Sequence, residues 1–128
     1  MQKTVTHVRL HHVNLGVPVG GIENEKAFLI HSLGYRPIEV PERLRGRVHW
    51  FETEDGTQIH LSEDPNHRPA DRAHVALEVN EKLAELETIL QQHGYALSAS
   101  ENSGQRIVTL RDPAGNRWEL RGHPAEKV

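Results

Sequence analysis

The 128-residue sequence contains no cysteine, and this absence excludes several kinds of site at once. Without cysteine there is no disulfide framework, no thiolate zinc site, no iron–sulfur cluster and no cysteine nucleophile. A chain of this length buries roughly 70% of the surface that its unfolded form exposes, so it can fold without disulfides or a structural metal. The sequence therefore predicts one domain, residues 1–128.

An excess of positive charge and long apolar runs are also missing. The 15 Lys and Arg residues are outnumbered by 18 Asp and Glu residues, so no basic field marks a nucleic-acid or membrane-surface binder. No stretch approaches the roughly 18 apolar residues of a membrane span. The first residues are not followed by the apolar core of a signal peptide. We therefore expect a cytoplasmic protein that binds a small molecule, with no nucleic-acid and no membrane partner.

Histidine is abundant by contrast, with ten residues, whereas aromatic residues make up only 5% of the chain. Neutral imidazole is the commonest metal ligand in proteins and titrates near neutral pH. The histidines therefore indicate a candidate metal or acid–base site. The few aromatic residues favour a modest pocket over a large aromatic slot.

Hydrophobic patterning predicts the same order of elements twice: strand, helix, strand, strand, strand. Residues 12–17 and 73–79 alternate polar and apolar side chains, and the first strand is predicted over 8–17. Helical spacing over 22–33 predicts one helix, and Asn80 is predicted to cap a second that ends before Gly94. The other predicted strands are 36–40, 48–53, 57–62, 95–99, 106–110 and 116–120, with a loop at 100–105.

Matching motifs recur at a spacing of about 60 residues, which indicates an internal repeat. The predicted fold class is α+β, with two tandem βαβββ modules that form curved mixed sheets with helices on the outer face. The modules cover about 7–63 and about 72–122, joined by a linker at 64–71. Paired units must cover otherwise open sheet edges, so we expect a homodimer.

Four residues that can ligate a metal occupy repeat-related positions on the predicted strands: His12, His60, His74 and Glu119. Each alternates with apolar neighbours, so all four are expected on the face opposite the helices. Any one alone is more often a surface or structural residue. Together, three imidazole nitrogens and one carboxylate oxygen predict a site for one divalent transition metal, Zn, Ni, Co, Mn or Fe(II). The pattern leaves open whether the site closes within one chain or across a dimer.

Other polar residues near these strands have two interpretations each. A shift of one residue in register would exchange His12 for His11. His49 is either an acid–base group of the pocket or a surface residue of its strand. Arg117 and Arg121 share the face of Glu119, and one of them is a candidate for the pocket mouth. A basic turn could grip an anionic substrate or simply be solvated; it contains Arg43, Arg45 and Arg47.

The motifs resemble those of the vicinal-oxygen-chelate superfamily, which includes glyoxalase I, fosfomycin-resistance proteins, methylmalonyl-CoA epimerase, bleomycin-binding proteins and extradiol dioxygenases. The resemblance rests on residues 10–17 (LHHVNLGV), 33–35 (LGY), 59–61 (IHL), 73–79 (AHVALEV) and 111–120 (RDPAGNRWEL). It implies that His12, His74 and Glu119 occupy the superfamily's usual metal-ligand positions. His60 occupies the fourth-strand position, where glyoxalase I and the epimerase are expected to carry Glu or Gln.

The resemblance also implies a reaction. A metal-dependent lyase or isomerase of the glyoxalase type would chelate a small oxygenated substrate and stabilise its enediolate or oxyanion. Glu119 or His60 would then move the proton. Two alternatives stay open. One is an extradiol-type dioxygenase with Fe(II), in which His60 or His49 is an outer acid–base group. The other is a non-catalytic small-molecule-binding protein of the bleomycin-resistance kind.

Overall fold

The computed structural model describes residues 6–124, which form two four-stranded sheets and two helices. The first sheet contains β1 (His12–Val17), β2 (Arg36–Ile38), β3 (Val48–Glu52) and β4 (Gln58–Glu63). The second contains β5 (His74–Asn80), β6 (Ser98–Asn102), β7 (Gln105–Arg111) and β8 (Arg117–Gly122). Helix α1 (Ile22–Ala27) continues into a π-helical turn, Phe28–Ser32, and α2 is Leu83–Gln92; a 3₁₀ turn, Glu42–Leu44, precedes β3.

The two sheets have the same topology, so the predicted tandem βαβββ fold is confirmed. The strand orders are β1-β4-β3-β2 and β5-β8-β7-β6, and in each sheet the first strand pairs with the last in parallel while the other pairs are antiparallel. The register repeats as well, because Asn14 lies opposite His60 and Ala76 lies opposite Glu119. We call the two halves the first and second modules.

Helix α1 has one buried stripe at helical spacing, formed by Ile22, Glu25, Phe28, Leu29 and Ser32. Four of these positions follow the i, i+3, i+7 and i+10 spacing of a core-facing helix. The helical segment ends near Gly34, which adopts φ +77°, a left-handed conformation that costs glycine nothing. The sequence predicted this stop correctly.

One hydrophobic core serves both modules. The ring centroid of Phe28, which follows α1, lies 5.4 Å from that of Trp118 on β8 and 5.3 Å from that of Tyr95. Ile59 and Leu61 of the first sheet belong to the same buried cluster as Trp118 and Leu120 of the second. The residues that alternate with them on β4 and β8 therefore lie on the sheet faces turned away from this core.

Three local predictions were wrong. Asn80 does not cap α2: the N-cap position is Lys82, and Asn80 ends β5 with φ +49°, a conformation that Asn tolerates better than most residues. The first strand begins at His12 and not at residue 8, because residues 6–11 form no ladder. Strand β6 lies later than predicted, and the expected loop at 100–105 shrinks to a two-residue turn.

The β6–β7 turn has a simple physical basis. Ser103 and Gly104 both have positive φ, 52° and 79°, which is the backbone of a tight type I′ hairpin turn. A loop of two residues lets the strands pair up to Asn102 and Gln105.

Across residues 6–124, neither helix has the length and apolar character required to cross a membrane.

Candidate metal centre

The first pair of candidate ligands, His12 and His60, lies on the neighbouring strands β1 and β4. Their imidazole rings stack, with centroids 3.9 Å apart and planes 12° apart. Trp50 on β3 stacks on His60 as well, at 4.5 Å and 14°. His60 is buried, at 7% exposure, whereas His12 is open to solvent.

His60 has the tautomer and charge that metal binding requires. Its Nε2 lies 2.8 Å from Gln58 Oε1, so the amide oxygen accepts the Nε2 hydrogen and Nδ1 keeps its lone pair. Burial, followed by the charges of His12 and His11, lowers the pKa of His60 from 6.5 to about 4. The ring is therefore neutral at neutral pH. A hydrogen bond from the non-ligating nitrogen is the usual support of a metal-bound histidine.

The second pair, His74 and Glu119, lies on β5 and β8. His74 Nδ1 lies 2.8 Å from the carbonyl oxygen of Arg72, which can only accept, so Nδ1 carries the hydrogen. In neutral His74 the other nitrogen, Nε2, is then an acceptor, and it faces Glu119 Oε2 at 3.2 Å. Two acceptors at this distance repel unless a proton or a cation lies between them.

The spacing of this second pair suits a shared metal ion. With metal–ligand bonds of about 2.1 Å, neighbouring ligand atoms are separated by about 3.0 Å at a right angle and about 3.4 Å at the tetrahedral angle. The separation of 3.2 Å lies inside this range. The other carboxylate oxygen, Glu119 Oε1, accepts a hydrogen bond from Arg121 Nη1 at 3.1 Å, and Arg121 Nη2 donates to Gln105 Oε1. Arg121 thus holds Glu119 with Oε2 turned toward His74.

The structure brings the four residues together as two pairs, not as one cluster. Within residues 6–124 no three His, Asp or Glu side chains are grouped closely enough to hold a metal ion. The pairs lie outside a cavity of about 690 Å³ that is lined by Val13, Tyr35, Ile59, Val75 and neighbouring residues. His74 lines a smaller recess of about 190 Å³. In donor chemistry the residues suit a transition metal, and each pair contains two candidate donor groups.

The structure also distinguishes among the alternative residues. His11 lies beside His12, with their Nδ1 atoms 2.9 Å apart. His49 lies opposite Leu61 in the β3–β4 register, so it shares the apolar face and not the face of His60. Arg121 contacts Glu119, whereas Arg117 turns to the Asp71 carbonyl oxygen. The basic turn is exposed at Arg43, Arg45 and Arg47.

Sequence reasoning missed the residues that support the candidate ligands. Trp50 faces His60 because it is paired directly opposite it in the antiparallel register of β3 and β4. A hairpin register counted from the predicted turn at 54–56 could have revealed this contact. Gln58 lies two residues before His60 on β4, a spacing that places both side chains on one face, whereas the Arg72 carbonyl precedes β5 and left no such signal.

No family model matches the sequence, and no curated protein matches it. Solved structures do match. A glyoxalase family protein of Bacillus anthracis is 28% identical, with a TM-score of 0.83 over 97% of this chain and 100% of that one. A glyoxalase/dioxygenase of Nostoc punctiforme is 24% identical, with a TM-score of 0.78 over 98% and 99% of the two chains.

A third match is the fosfomycin resistance protein FosX of Listeria monocytogenes, as its E126Q mutant with Mn(II) and 1S,2S-dihydroxypropylphosphonic acid. It is 17% identical, with a TM-score of 0.72 over 96% of this chain and 95% of that one. These are proteins of the vicinal-oxygen-chelate superfamily. The resemblance predicted from the motifs is therefore confirmed, and the chain has the fold of that superfamily.

Proposed function

We propose that the protein is a metal-dependent enzyme of the glyoxalase type, a lyase or isomerase that acts on a small oxygenated substrate. The observation that carries this proposal is the second pair, in which His74 Nε2 and Glu119 Oε2 face each other as two acceptors at 3.2 Å. A bound divalent cation removes their repulsion. The Mn(II) in the FosX complex, a protein of the same fold, supports a divalent metal at such a site.

We further propose that the complete site is shared by two copies of the chain, so that His12 and His60 of one copy meet His74 and Glu119 of the other. The polar faces of both sheets lie opposite the single core that joins the modules. Strands β1 and β5 also have a hydrogen-bonded neighbour on one side only. A twofold dimer covers such edges and forms two identical sites.

The protein's own groups would prepare and assist the reaction. Gln58 and the Arg72 carbonyl oxygen hold the tautomers of His60 and His74, and Arg121 holds Glu119. When bound, the metal supplies Lewis-acid polarisation of the substrate oxygens. We assign the proton transfer to Glu119, because His60 is sandwiched between His12 and Trp50 and has little access to substrate. In this role the Glu119 carboxylate would accept the proton from the substrate and hold it on a carboxyl oxygen.

Metal analysis of protein purified without chelator, with calorimetric titration of Mn(II), Zn(II) and Ni(II), tests the site. We expect about one equivalent per chain and no high-affinity binding to Glu119→Gln. The exposed-turn variant Arg43→Gln is the matched control and should bind as the wild type does. Less than about a tenth of an equivalent, together with no titratable binding, would contradict the proposal.

Mixing two inactive variants tests the shared site. His60→Ala destroys the first pair and Glu119→Ala the second, so neither homodimer has a complete site. After subunit exchange, a heterodimer has one intact site and one with neither pair, and the mixture recovers about a quarter of the wild-type metal content. No recovery, despite mixed dimers verified by mass spectrometry, would place the site within one chain.

The type of reaction needs its own experiment. A base that moves a carbon-bound proton exchanges it with solvent, so we expect metal-dependent deuterium incorporation from D₂O into small 2-oxoaldehyde–thiol adducts, followed by NMR. The dioxygenase alternative uses the same two-histidine, one-carboxylate donors with Fe(II). Oxygen uptake with a catechol and no proton exchange would select it. Substrate binding with neither reaction would select a non-catalytic binding protein.

A further inference from the structure

Helix α1 buries a carboxyl group that the proposed reaction does not use. Glu25 has no exposed surface and lies in the apolar stripe of the helix. Its Oε1 accepts a hydrogen bond from the Ala114 backbone N–H, 2.8 Å away in the β7–β8 turn of the second module. Its Oε2 is buried, and within residues 6–124 no donor reaches it. A buried carboxylate oxygen without a donor or a cation is strongly disfavoured.

A second buried carboxyl group explains how this oxygen is satisfied. Asp112, at 4% exposure, shares a donor with Glu25, because the Ala114 N–H lies 2.8 Å from Glu25 Oε1 and 3.0 Å from Asp112 Oδ1. Its Oδ1 accepts the backbone N–H groups of Ala114 and Asn116, and its Oδ2 accepts the indole N–H of Trp118 at 2.9 Å. Asp112 thus has three donors, one of which it shares with Glu25, whereas Glu25 has that shared donor alone. A proton held between two neighbouring buried carboxyl groups goes to the one with fewer donors, so Glu25 is the one that keeps it.

We propose that Glu25 and Asp112 form a proton-binding site between the modules, in which the protonated Oε2 of Glu25 donates to Asp112 and joins α1 to the β7–β8 turn. Tyr95, which is neutral at neutral pH, also faces Glu25, and His67 contacts the Ala114 carbonyl oxygen of the same turn. No ion pair recorded for residues 6–124 includes Glu25, so no cation competes with the proton. The site depends neither on the metal nor on a dimer.

The titration of Glu25 agrees with this geometry. Burial, followed by the charge of Asp112, raises its pKa from 4.5 to about 9. In the unfolded chain the group releases its proton near pH 4.5, while the folded protein keeps it up to about pH 9. The stabilisation is therefore complete below pH 4.5, declines as the pH rises, and is exhausted above about pH 9. Within that window the unfolded state binds fewer protons, so alkali favours unfolding.

Urea unfolding at pH 6 and pH 8 tests the proposal. We compare the wild type with Glu25→Gln, whose amide keeps one acceptor for the Ala114 N–H and one donor for Asp112 but does not titrate. We expect the unfolding equilibrium constant to rise about a hundredfold more in the wild type than in Glu25→Gln between these pH values. Glu23→Gln, an exposed change on the same helix, should follow the wild type. Parallel profiles of the wild type and Glu25→Gln would overturn the proposal.

A second measurement covers the case in which Glu25→Gln does not fold. Carbon-13 NMR of protein labelled at the glutamate side-chain carboxyl carbon follows the titration of each glutamate directly. We expect one resonance to keep the shift of a protonated carboxyl at pH 7 and to titrate near pH 9. If all glutamates of the folded wild-type protein titrate between about pH 3 and 6, the proposal is wrong.

Discussion

The two modules share one backbone pattern but carry different chemistry. Asn14 opposite His60 in the first sheet matches Ala76 opposite Glu119 in the second. The first pair consists of two stacked imidazoles, one of which is covered by Trp50, and it contains no anionic group. The second pair contains a carboxylate held by Arg121. One repeated register therefore carries two imidazoles in the first module and an imidazole with a carboxylate in the second.

The difference sets the charge of the proposed site. A divalent metal with three neutral imidazoles and one carboxylate keeps a net positive charge of one, whereas a second carboxylate at position 60 would neutralise it. A positive centre stabilises an oxyanion better than a neutral one. The four sets of variants below test the differences between the two modules.

The largest effect is expected from exchanging the charged ligand. Glu119→Gln removes the only anionic donor of the proposed site, and we expect Mn(II) affinity to fall more than about 100-fold, since a first ligand should cost more than the outer contacts that cost 10–100-fold. His60→Gln replaces one neutral donor by another and should cost about tenfold. Calorimetry on both variants measures the ratio. Equal losses would show that the two pairs do not divide the roles in this way.

A smaller effect is expected where a side chain acts through Glu119. Arg121→Ala releases Glu119 Oε1 and lets the carboxylate turn away from His74, so we expect metal affinity to fall about tenfold. Arg117→Ala is the control, because Arg117 contacts the linker carbonyl of Asp71. Circular dichroism should show both variants folded. An unchanged affinity for Arg121→Ala would mean that Glu119 needs no such support.

The linker packs closely on β1 of the first module at Gly16, whereas the equivalent position in β5 of the second module is exposed. A Cβ at Gly16 would lie 2.9 Å from the His67 ring, and His67 Nε2 reaches the Ala114 carbonyl oxygen at 2.9 Å. We expect Gly16→Ala to destabilise the protein by about 1–3 kcal/mol in urea unfolding. Glu78, the equivalent position in β5, is exposed, so Glu78→Ala should cost less than about 0.5 kcal/mol. Equal losses would show that His67 moves aside freely.

The smallest expected effect is on the titration of His60. Burial is the main cause of its low pKa, about 4. Trp50→Ala uncovers one face of the ring and should raise this pKa toward the ordinary 6.5, seen as a shifted midpoint of the His60 ring proton in NMR. The wild type should lose stability between pH 6.5 and about 4, where the unfolded chain takes up the proton first. If the titration midpoint of His60 does not change in Trp50→Ala, the low pKa comes from His11 and His12 and not from burial by Trp50.

Much of this architecture could be predicted because side chains along a strand alternate between the two faces of the sheet. The alternation around His60 and Glu119 was enough to place both on the face opposite the core. The separation of the four residues into two pairs was not predictable, because it depends on how the two sheets lie relative to each other and not on the alternation along one strand. Glu25 was hidden for another reason. A glutamate in a helix usually faces water, and only the approach of the second module buries it.

The contact between Phe28 and Trp118 joins the two modules, so it bears on whether either module can fold alone. Each module covers the apolar face of the other, so residues 7–63 expressed alone would expose that apolar face to water. The two modules therefore share a strand-pairing pattern, but we do not expect either of them to fold independently. A chain nicked in the 64–71 linker should stay assembled as two fragments, while neither fragment purified separately should give a cooperative melting transition.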